Sequence, residues 1–372
     1  MSRETFKPKI LIIGCGLAGL SLAAILEHAK IPYELFDKAK ELRPLGSAIS
    51  IGPAVMPMFT QLGIMEQVQA KGKLMTESFL TNEKLELLTH LDFHTEAVER
   101  PALQGILLSL IPKHKIHLNK RVLSFCETGE GVMIRTSDNK THHGNILVGA
   151  DGPYSSVRQT MYQKMDKEGK LPSVDKKPFK YSTICLVGQT YPLDEATYAH
   201  VEDDVCRYEM VICDDRPLCC CTFTTAEKTV CWMVFEILDQ ESNDKNDNFR
   251  STEWGPEAAE SMCNQVRNLR LRENLVLGDL IDKTPKNVIC KVMLEEKIFK
   301  SWVYGRTVLI GDGNDLHGQV LRKVMHNMPL KLWHLVRDEV SAYRPQISFL
   351  PLVEDRGTKG PAKQPSLKKT QV

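Results

Sequence analysis

The sequence of 372 residues lacks several features that would assign a class of protein directly. No apolar run reaches the roughly 18 residues that a transmembrane helix needs, so we expect no transmembrane segment. The 48 Lys and Arg residues nearly balance the 47 Asp and Glu residues, which argues against nucleic acid as a partner. The 11 cysteines form no CxxC pair, and their odd number without a signal sequence indicates a reducing compartment, which we take to be cytoplasmic.

Familiar catalytic constellations are missing as well. The sequence shows no Ser-His-Asp arrangement and no metal-ligand spacing, so we predict no metal site and name no catalytic residue. The scattered histidines are interpreted as surface residues. They are His90, His94, His142 and His143.

The strongest pattern lies at the start of the chain. An apolar run at residues 9–13 leads into a GxGxxG turn, and residues 20–26 continue with the Leu and Ala of a helix. This order is typical of the βαβ unit that binds a dinucleotide. Gly14 permits the tight turn, and Gly19 lets the helix pack close to the strand. Because Gly16 has no Cβ, the backbone N–H groups beside it can approach a pyrophosphate.

The second strand of this unit, residues 31–36, ends at Asp37. An acidic side chain at this point is the hydrogen-bond acceptor that the ribose of a bound adenosine needs, and it implies a free 2′-hydroxyl group. We do not expect the opening stretch to be a signal peptide. Three glycines interrupt it, and no small-residue cleavage site precedes Glu27.

Two more acidic residues follow apolar strands. Residues 146–149 lead into Asp151, and a later apolar strand leads into Gly311 and Asp312. Carboxylates at the carboxyl ends of strands lie where cofactors bind in α/β sheets. The alternative for Asp151 is an Asp-Gly turn before a helix that Ser155 caps.

The stretches between these motifs predict further elements. We expect an amphipathic helix over residues 54–68, hairpin strands over residues 76–95 and a helix that begins at Arg100. Arg100 lies at the start of this helix. By itself this position is interpreted as an exposed arginine that pairs with Glu96 or Glu99.

Residues 172–293 change to long β-like segments with short connections, which predicts an antiparallel sheet. A sheet of this kind beside a nucleotide-binding unit usually forms one wall of a substrate pocket. Four aromatic side chains would line that wall, although each by itself is more typical of a core. They are Tyr208, Phe223, Trp232 and Phe235.

In order and spacing, these motifs resemble the FAD-dependent class A flavoprotein monooxygenases, the family of para-hydroxybenzoate hydroxylase and the fungal FAD-binding hydroxylases. The resemblance implies that the glycine turn of residues 14–19 holds the ADP part of FAD and that Asp37 holds its ribose. It also implies that Arg100 contacts the flavin side, that Asp151 belongs to a motif associated with FAD and NAD(P)H, and that Asp312 binds the ribityl chain. The implied cofactor-binding residues are Gly14, Gly16, Gly19, Asp37, Ala48 (where the family commonly has a glycine), Arg100, Asp151, Gly311 and Asp312.

The same resemblance implies an α/β fold in which a Rossmann-like FAD-binding domain carries an inserted, mostly antiparallel β-sheet substrate domain. The predicted domains are a discontinuous FAD-binding domain (1–75, 97–165 and 295–345), a substrate domain (76–96 and 172–293) and a disordered basic tail (355–372). The implied activity is a monooxygenase that uses FAD, NAD(P)H and O2 to hydroxylate or epoxidise an aromatic or hydrophobic small molecule. Two alternatives stay open: an FAD-dependent reductase or dehydrogenase of the same fold, and a degenerate FAD-fold protein with impaired catalysis.

The sequence departs from the family after Asp312. There the family continues toward a proline and a GxG that open a helix, whereas residues 313–322 contain neither. Since a glycine-rich helix start supplies backbone N–H groups to the flavin, the departure predicts weaker FAD binding. The abrupt change favours the hypothesis of an altered reading frame or splice form, which comparison of the three coding frames after codon 312 would test.

Overall fold

The computed structural model of the chain describes residues 7–42, 47–178, 180–214, 216–237, 256–297 and 299–311. These residues form two large sheets, a three-stranded sheet, a two-stranded hairpin and eight α-helices. The helices are α1 (Leu17–His28), α2 (Met56–Gln61), α3 (Met65–Lys71), α4 (Arg100–Ser109), α5 (Ser156–Lys167), α6 (Ser173–Lys176), α7 (Pro256–Val266) and α8 (Leu277–Asp282).

The first large sheet, sheet A, contains the strand that opens the chain. Its strands in spatial order are β18 (Val303–Tyr304), β19 (Thr307–Leu309), β10 (Ile146–Gly149), β1 (Ile10–Ile13), β2 (Tyr33–Phe36) and β6 (Ile116–His117). Neighbouring strands are parallel except for β18 and β19, which are antiparallel. All four residues of β1 are buried, as expected for a central parallel strand covered on both faces.

The second large sheet, sheet B, is mostly antiparallel. Its strands in spatial order are β17 (Cys290–Glu296), β11 (Lys180–Gln189), β14 (Val230–Ile237), β13 (Leu218–Thr224), β12 (Val205–Ile212), β4 (Gly72–Asn82), β5 (Leu87–Glu99) and β3 (Ala48–Ile51). Among these pairs β12 and β4 are parallel, and the others are antiparallel. One face of sheet B packs against α7 and α8 in a single apolar cluster.

The remaining strands are β7 (Val122–Glu127), β8 (Val132–Thr136) and β9 (Thr141–Gly144), which form the three-stranded sheet, and β15 (Arg270–Arg272) and β16 (Leu275–Val276), which form the hairpin. Side chains of the three-stranded sheet and of α5 pack with those of sheet A in one core cluster. The cluster includes Leu11, Phe36, Ile134 and Met161. The predicted α/β class, with a parallel nucleotide-binding sheet and a mostly antiparallel second sheet, is therefore confirmed.

Two of the sequence predictions are wrong in detail. The single helix expected over residues 54–68 is two short helices, α2 and α3. Gly63 between them adopts a φ of 70°, a left-handed conformation that ends the first helix. His142, expected at the surface, is only 18% exposed and packs edge-on against Phe36, with ring centroids 4.6 Å apart. His117 stacks on the same phenylalanine, so three rings fill the space between β2 and β9.

Candidate cofactor site

The carboxyl ends of four parallel strands meet at one edge of sheet A. Ile13 at the end of β1 pairs with Phe36 at the end of β2 and with Gly149 at the end of β10. Gly149 pairs in turn with Leu309 at the end of β19. Residues that the sequence predicted as site residues follow these strand ends: Gly14, Asp37, Asp151 and Gly311. The tertiary structure therefore brings together four segments of the chain at an edge where α/β folds bind cofactors.

The glycine turn after β1 is shaped by two close backbone approaches. Gly14 has a φ of 111°, and a Cβ there would lie 2.2 Å from the carbonyl oxygen of Ala150. A Cβ on Gly19 would lie 1.9 Å from the carbonyl oxygen of Gly14. Both distances are far below van der Waals contact, so the fold itself requires glycine at these two positions.

Gly16 differs from the other two glycines of the turn. Apart from its chain neighbours, no atom of the described residues lies within 4 Å of the point where its Cβ would be, so this part of the fold leaves the space open. Gly16 is also the N-cap of α1, a helix of 12 residues that has no side-chain cap and no acidic residue in its first turn. An open space at an uncapped helix N-terminus fits a pyrophosphate, because the first N–H groups and the helix dipole both favour an anion.

Asp37 lies directly across from this turn. Its Oδ2 atom accepts a hydrogen bond of 2.7 Å from the backbone N–H of Cys15, and its Oδ1 atom accepts one of 2.8 Å from Ala39 N–H. These bonds fix the carboxylate beside the start of α1. Burial, together with the neighbouring Asp37, raises the pKa of the Cys15 thiol well above its usual range, so this thiol is not a nucleophile at neutral pH.

The loop after β10 forms the helix cap that the sequence left as an alternative. Ser155 caps α5 by accepting a hydrogen bond of 2.9 Å from Arg158 N–H. Asp151 Oδ2 accepts hydrogen bonds from the N–H (2.7 Å) and the hydroxyl (2.9 Å) of Ser156. The Arg158 guanidinium is buried 4.5 Å from the ring centroid of Phe299. Asp151 thus lies at the sheet edge, whereas Arg158 fills the interior.

Ala48 and Arg100 lie together where sheet B meets α4. Ala48 in β3 pairs with Glu99 at the end of β5, and Arg100 is the first residue of α4. The backbone N–H of Arg100 donates a hydrogen bond of 3.0 Å to the carbonyl of Ser47. The Ala48 side chain is buried in a cluster with Met75 and other residues of sheet B.

Gly311 follows β19 in the chain and packs against the first turn of α1. It has a φ of 62°, and a Cβ there would lie 2.8 Å from the Ala18 Cβ. The glycine therefore permits close packing of the two segments. Asp312, the predicted ligand of the ribityl chain, lies outside the described residues.

Sheet B presents an apolar face that is only partly covered, and this face is called the open face. Strand register places four of its residues side by side across β11, β14, β13 and β12: Val187, Met233, Cys221 and Met210. The neighbouring row contains Phe223 and Cys231, which pack with Ala48 in one cluster. Val187, Met210 and Met233 stay half-buried, so apolar area is left for contact with a ligand.

The four aromatic residues predicted to line a pocket divide between core and open face. Tyr208 and Phe235 are half-buried on the open face. Phe223 is buried in the cluster with Ala48. Trp232 is fully buried on the opposite face, where its indole N–H donates a hydrogen bond of 3.0 Å to Thr284 Oγ1. The alternation of side chains along β14 decides this difference, since adjacent positions face opposite sides of a strand.

One polar group near the site was missed by the sequence reasoning. Glu99 accepts hydrogen bonds from Gln189, Thr225 and Thr229, which are 90 to 130 positions away in the chain. No local pattern marks such a set, because its members come from three different strands or strand ends. The sequence placed Glu99 only as an ion-pair partner of Arg100.

The chain combines a Rossmann-like sheet, which has an open glycine turn and a carboxylate fixed beside it, with a second sheet that has an apolar open face. This combination is typical of flavoproteins that have a nucleotide-binding sheet and a substrate-facing sheet. Residues 7–183 match the family described as "FAD binding domain". This part of the chain is therefore similar to an FAD-binding domain, and FAD is the cofactor that the similarity supports.

Fungal FAD-dependent monooxygenases are among the proteins that are similar to the chain. The FAD-dependent monooxygenase ausM of Penicillium brasilianum is 26% identical over 83% of this chain and 64% of its own length. The FAD-dependent monooxygenase verC1 of Penicillium polonicum is 27% identical over 82% of this chain and 38% of its own length. The chain thus spans less than two thirds of the length of either relative.

Solved structures share the fold. The 2,6-dihydroxypyridine-3-hydroxylase of Arthrobacter nicotinovorans superposes with a TM-score of 0.70 at 15% identity, covering 91% of this chain and 87% of that structure. Klebsiella pneumoniae HpxO complexed with FAD and uric acid gives a TM-score of 0.65 at 18% identity, covering 89% and 83%. Across the described part of the chain, no helix is both long and apolar enough to cross a membrane.

Proposed function

We propose that this chain provides the FAD-binding unit and the substrate-facing sheet of a monooxygenase that uses NAD(P)H and O2 to hydroxylate or epoxidise an aromatic or hydrophobic small molecule. The observation that carries the proposal is the half-buried apolar open face of sheet B on the side of Ala48. The names of the fungal relatives support the reaction class. We also propose that the chain divides into domains at the boundaries predicted from its sequence.

FAD would be held at the edge of sheet A. The N–H groups at the start of α1 would bind its pyrophosphate, Asp37 its ribose, and Arg100 and Asp312 its flavin end. When bound, FAD supplies the redox chemistry with NAD(P)H and the activation of O2. The residues of the chain bind and orient it, and the fit rests on the open space beside Gly16.

The open face would orient the substrate and exclude water from it. Its half-buried side chains Val187, Met210 and Met233 carry no charge, so an apolar substrate body is favoured over a charged one. Tyr208 adds a phenol at the margin of this face. Burial raises the pKa of Tyr208 well above its usual range, so the phenol stays protonated at neutral pH.

The first test is an absorbance spectrum of the purified chain before and after addition of FAD and desalting. We expect flavin bands to remain after desalting. NAD(P)H oxidation and O2 uptake are then measured with and without candidate phenols, and a substrate-dependent rise in both supports a monooxygenase. Substrate-dependent NAD(P)H oxidation without O2 uptake would instead identify a reductase or dehydrogenase.

A second candidate function follows from the departure of the sequence after Asp312. A chain without the family's glycine-rich helix start at that point would bind FAD weakly and act as a degenerate FAD-fold protein. A purified protein that stays colourless, and whose spectrum is unchanged by added FAD, would favour this candidate over a monooxygenase.

A further inference from the structure

A single carboxylate oxygen of Glu99 accepts hydrogen bonds from three side chains of sheet B and its turns. Gln189 Nε2 at the end of β11 lies 2.6 Å from Glu99 Oε1, and Thr225 Oγ1 lies 3.1 Å from the same oxygen. Thr229 Oγ1 lies 3.4 Å from that oxygen and 2.7 Å from Thr225 Oγ1. Glu99, Gln189, Thr225 and Thr229 are called the Glu99 cluster.

The Glu99 cluster holds the turn between β13 and β14. Thr225 and Thr229 close this turn through a backbone hydrogen bond of 3.0 Å, and both side chains are buried. Glu227 at the tip of the same turn pairs at 2.7 Å with Lys71, the last residue of α3. The turn is therefore fastened at two points to the segments that carry α3 and α4.

Glu99 is also the residue from which α4 starts. It is the N-cap of that helix, yet its side chain makes no capping bond to the helix. The carboxylate is directed to the buried threonines of sheet B instead. Because Thr225 and Thr229 share a hydrogen bond of 2.7 Å, one of them and Gln189 can donate to Glu99 at the same time. These bonds limit the rotation of the carboxylate and hold the first turn of α4 against sheet B.

We propose that Glu99 is a positioning residue for FAD: through the Glu99 cluster it fixes the first turn of α4 and so holds Arg100 where the flavin end of the cofactor binds. The inference rests on the proposed function, because the contact of Arg100 with FAD belongs to that proposal. It adds a residue that touches neither cofactor nor substrate, and it links the turn of sheet B to the cofactor site.

The test is a double-mutant cycle on the dissociation constant of FAD, measured by flavin fluorescence. We expect Glu99→Ala to weaken FAD binding by about tenfold in the otherwise unchanged chain. In the background of Arg100→Ala, the same substitution should change the constant by less than about twofold, because its effect passes through the arginine. Equal effects of Glu99→Ala in the two backgrounds would overturn the proposal.

Three controls separate positioning from general destabilisation. Glu99→Gln keeps an acceptor oxygen and should hold FAD affinity within about threefold of wild type. Glu227→Ala breaks the other fastening of the same turn and should leave FAD affinity within about twofold. If Glu99→Ala does not fold, the double variant Thr225→Val and Thr229→Val removes two of the three donors, and the same cycle applies with it.

Hydrogen exchange of the chain without FAD gives a readout that is independent of cofactor binding. Glu99→Ala should speed amide exchange across Arg100–Ser109, whereas Glu227→Ala should not. Unchanged exchange in that segment would refute the positioning role even if FAD binds. A wild-type chain that binds no FAD would refute the proposed function, and hydrogen exchange would still decide whether Glu99 orders α4.

Discussion

Replacement of Gly16 by alanine should separate cofactor binding from folding. The Gly16 backbone has φ −69° and ψ 176°, which alanine adopts freely, and its Cβ would meet no atom within 4 Å. Alanine restricts the unfolded state, which favours folding by about 0.4–1 kcal/mol, but it is a poorer N-cap than glycine. Because the two effects oppose each other, we expect the free energy of unfolding of the chain without FAD to change by less than about 1 kcal/mol. The new methyl group would fill the space through which backbone N–H groups reach the pyrophosphate. Loss of one such charge-assisted hydrogen bond costs about 1.5–3 kcal/mol, or about a 10- to 150-fold rise in the dissociation constant of FAD.

Two measurements on the same variant test this reasoning. Urea unfolding of the chain without FAD gives the change in stability, and titration of FAD followed by flavin fluorescence gives the change in affinity. Gly105→Ala in the middle of α4 is the matched control, because its Cβ also meets nothing within 4 Å, and it should gain stability without changing affinity. A Gly16→Ala chain that binds FAD as tightly as wild type would refute the placement of the pyrophosphate. A loss of stability of more than about 2 kcal/mol would refute the open space, because it exceeds the cost of a poorer N-cap.

Three further predictions concern other parts of the chain. Gly188→Ala should lower the free energy of unfolding by about 1–3 kcal/mol in urea unfolding, because its Cβ would lie 2.3 Å from the buried ring of Trp232. Burial lowers the pKa of His117 from the usual 6.5, so the unfolded chain binds a proton on this side chain more readily than the folded chain, and stability should fall as pH drops below about 6.5. The variant His117→Gln should therefore show a smaller drop in melting temperature between about pH 7.5 and pH 5.5 than the wild type. An equal drop would contradict the lowered pKa of His117. Met233→Asp on the open face should lower substrate affinity at least about tenfold while FAD stays bound. Ile237→Asp at the exposed end of the same strand should leave substrate affinity and FAD binding unchanged. Substrate affinity is measured from the dependence of the rate of NAD(P)H oxidation on substrate concentration.

Local sequence patterns were sufficient for the nucleotide-binding unit. The apolar strand, the glycine turn and the following helix are contiguous, so their order in the chain is their order in space. The requirement for glycine at Gly14 and Gly19 could be predicted as well, because the turn type itself brings the backbone close. The helix at Arg100 and the hairpin of β4 and β5 were predicted correctly for the same reason, since each depends on a short periodic segment.

The alternation of residues along a strand did not show which of its two faces is turned toward the site. Trp232 and Met233 are neighbours in β14, yet one is core and the other lies on the open face. The alternation predicts that they face opposite sides, but only the packing of α7 and α8 shows which side is covered. His142 was misplaced for a similar reason, because the partner that buries it, Phe36, lies on another sheet.

The sequence by itself determined the dinucleotide-binding start, because its strand, glycine turn and helix are contiguous in the chain. The tertiary structure alone decided that sheet B leaves one apolar face open and that Glu99 is joined to Gln189 and Thr229. Those features depend on strand pairing and helix packing between segments about 100 residues apart, where no periodicity along the chain records which side chains will meet.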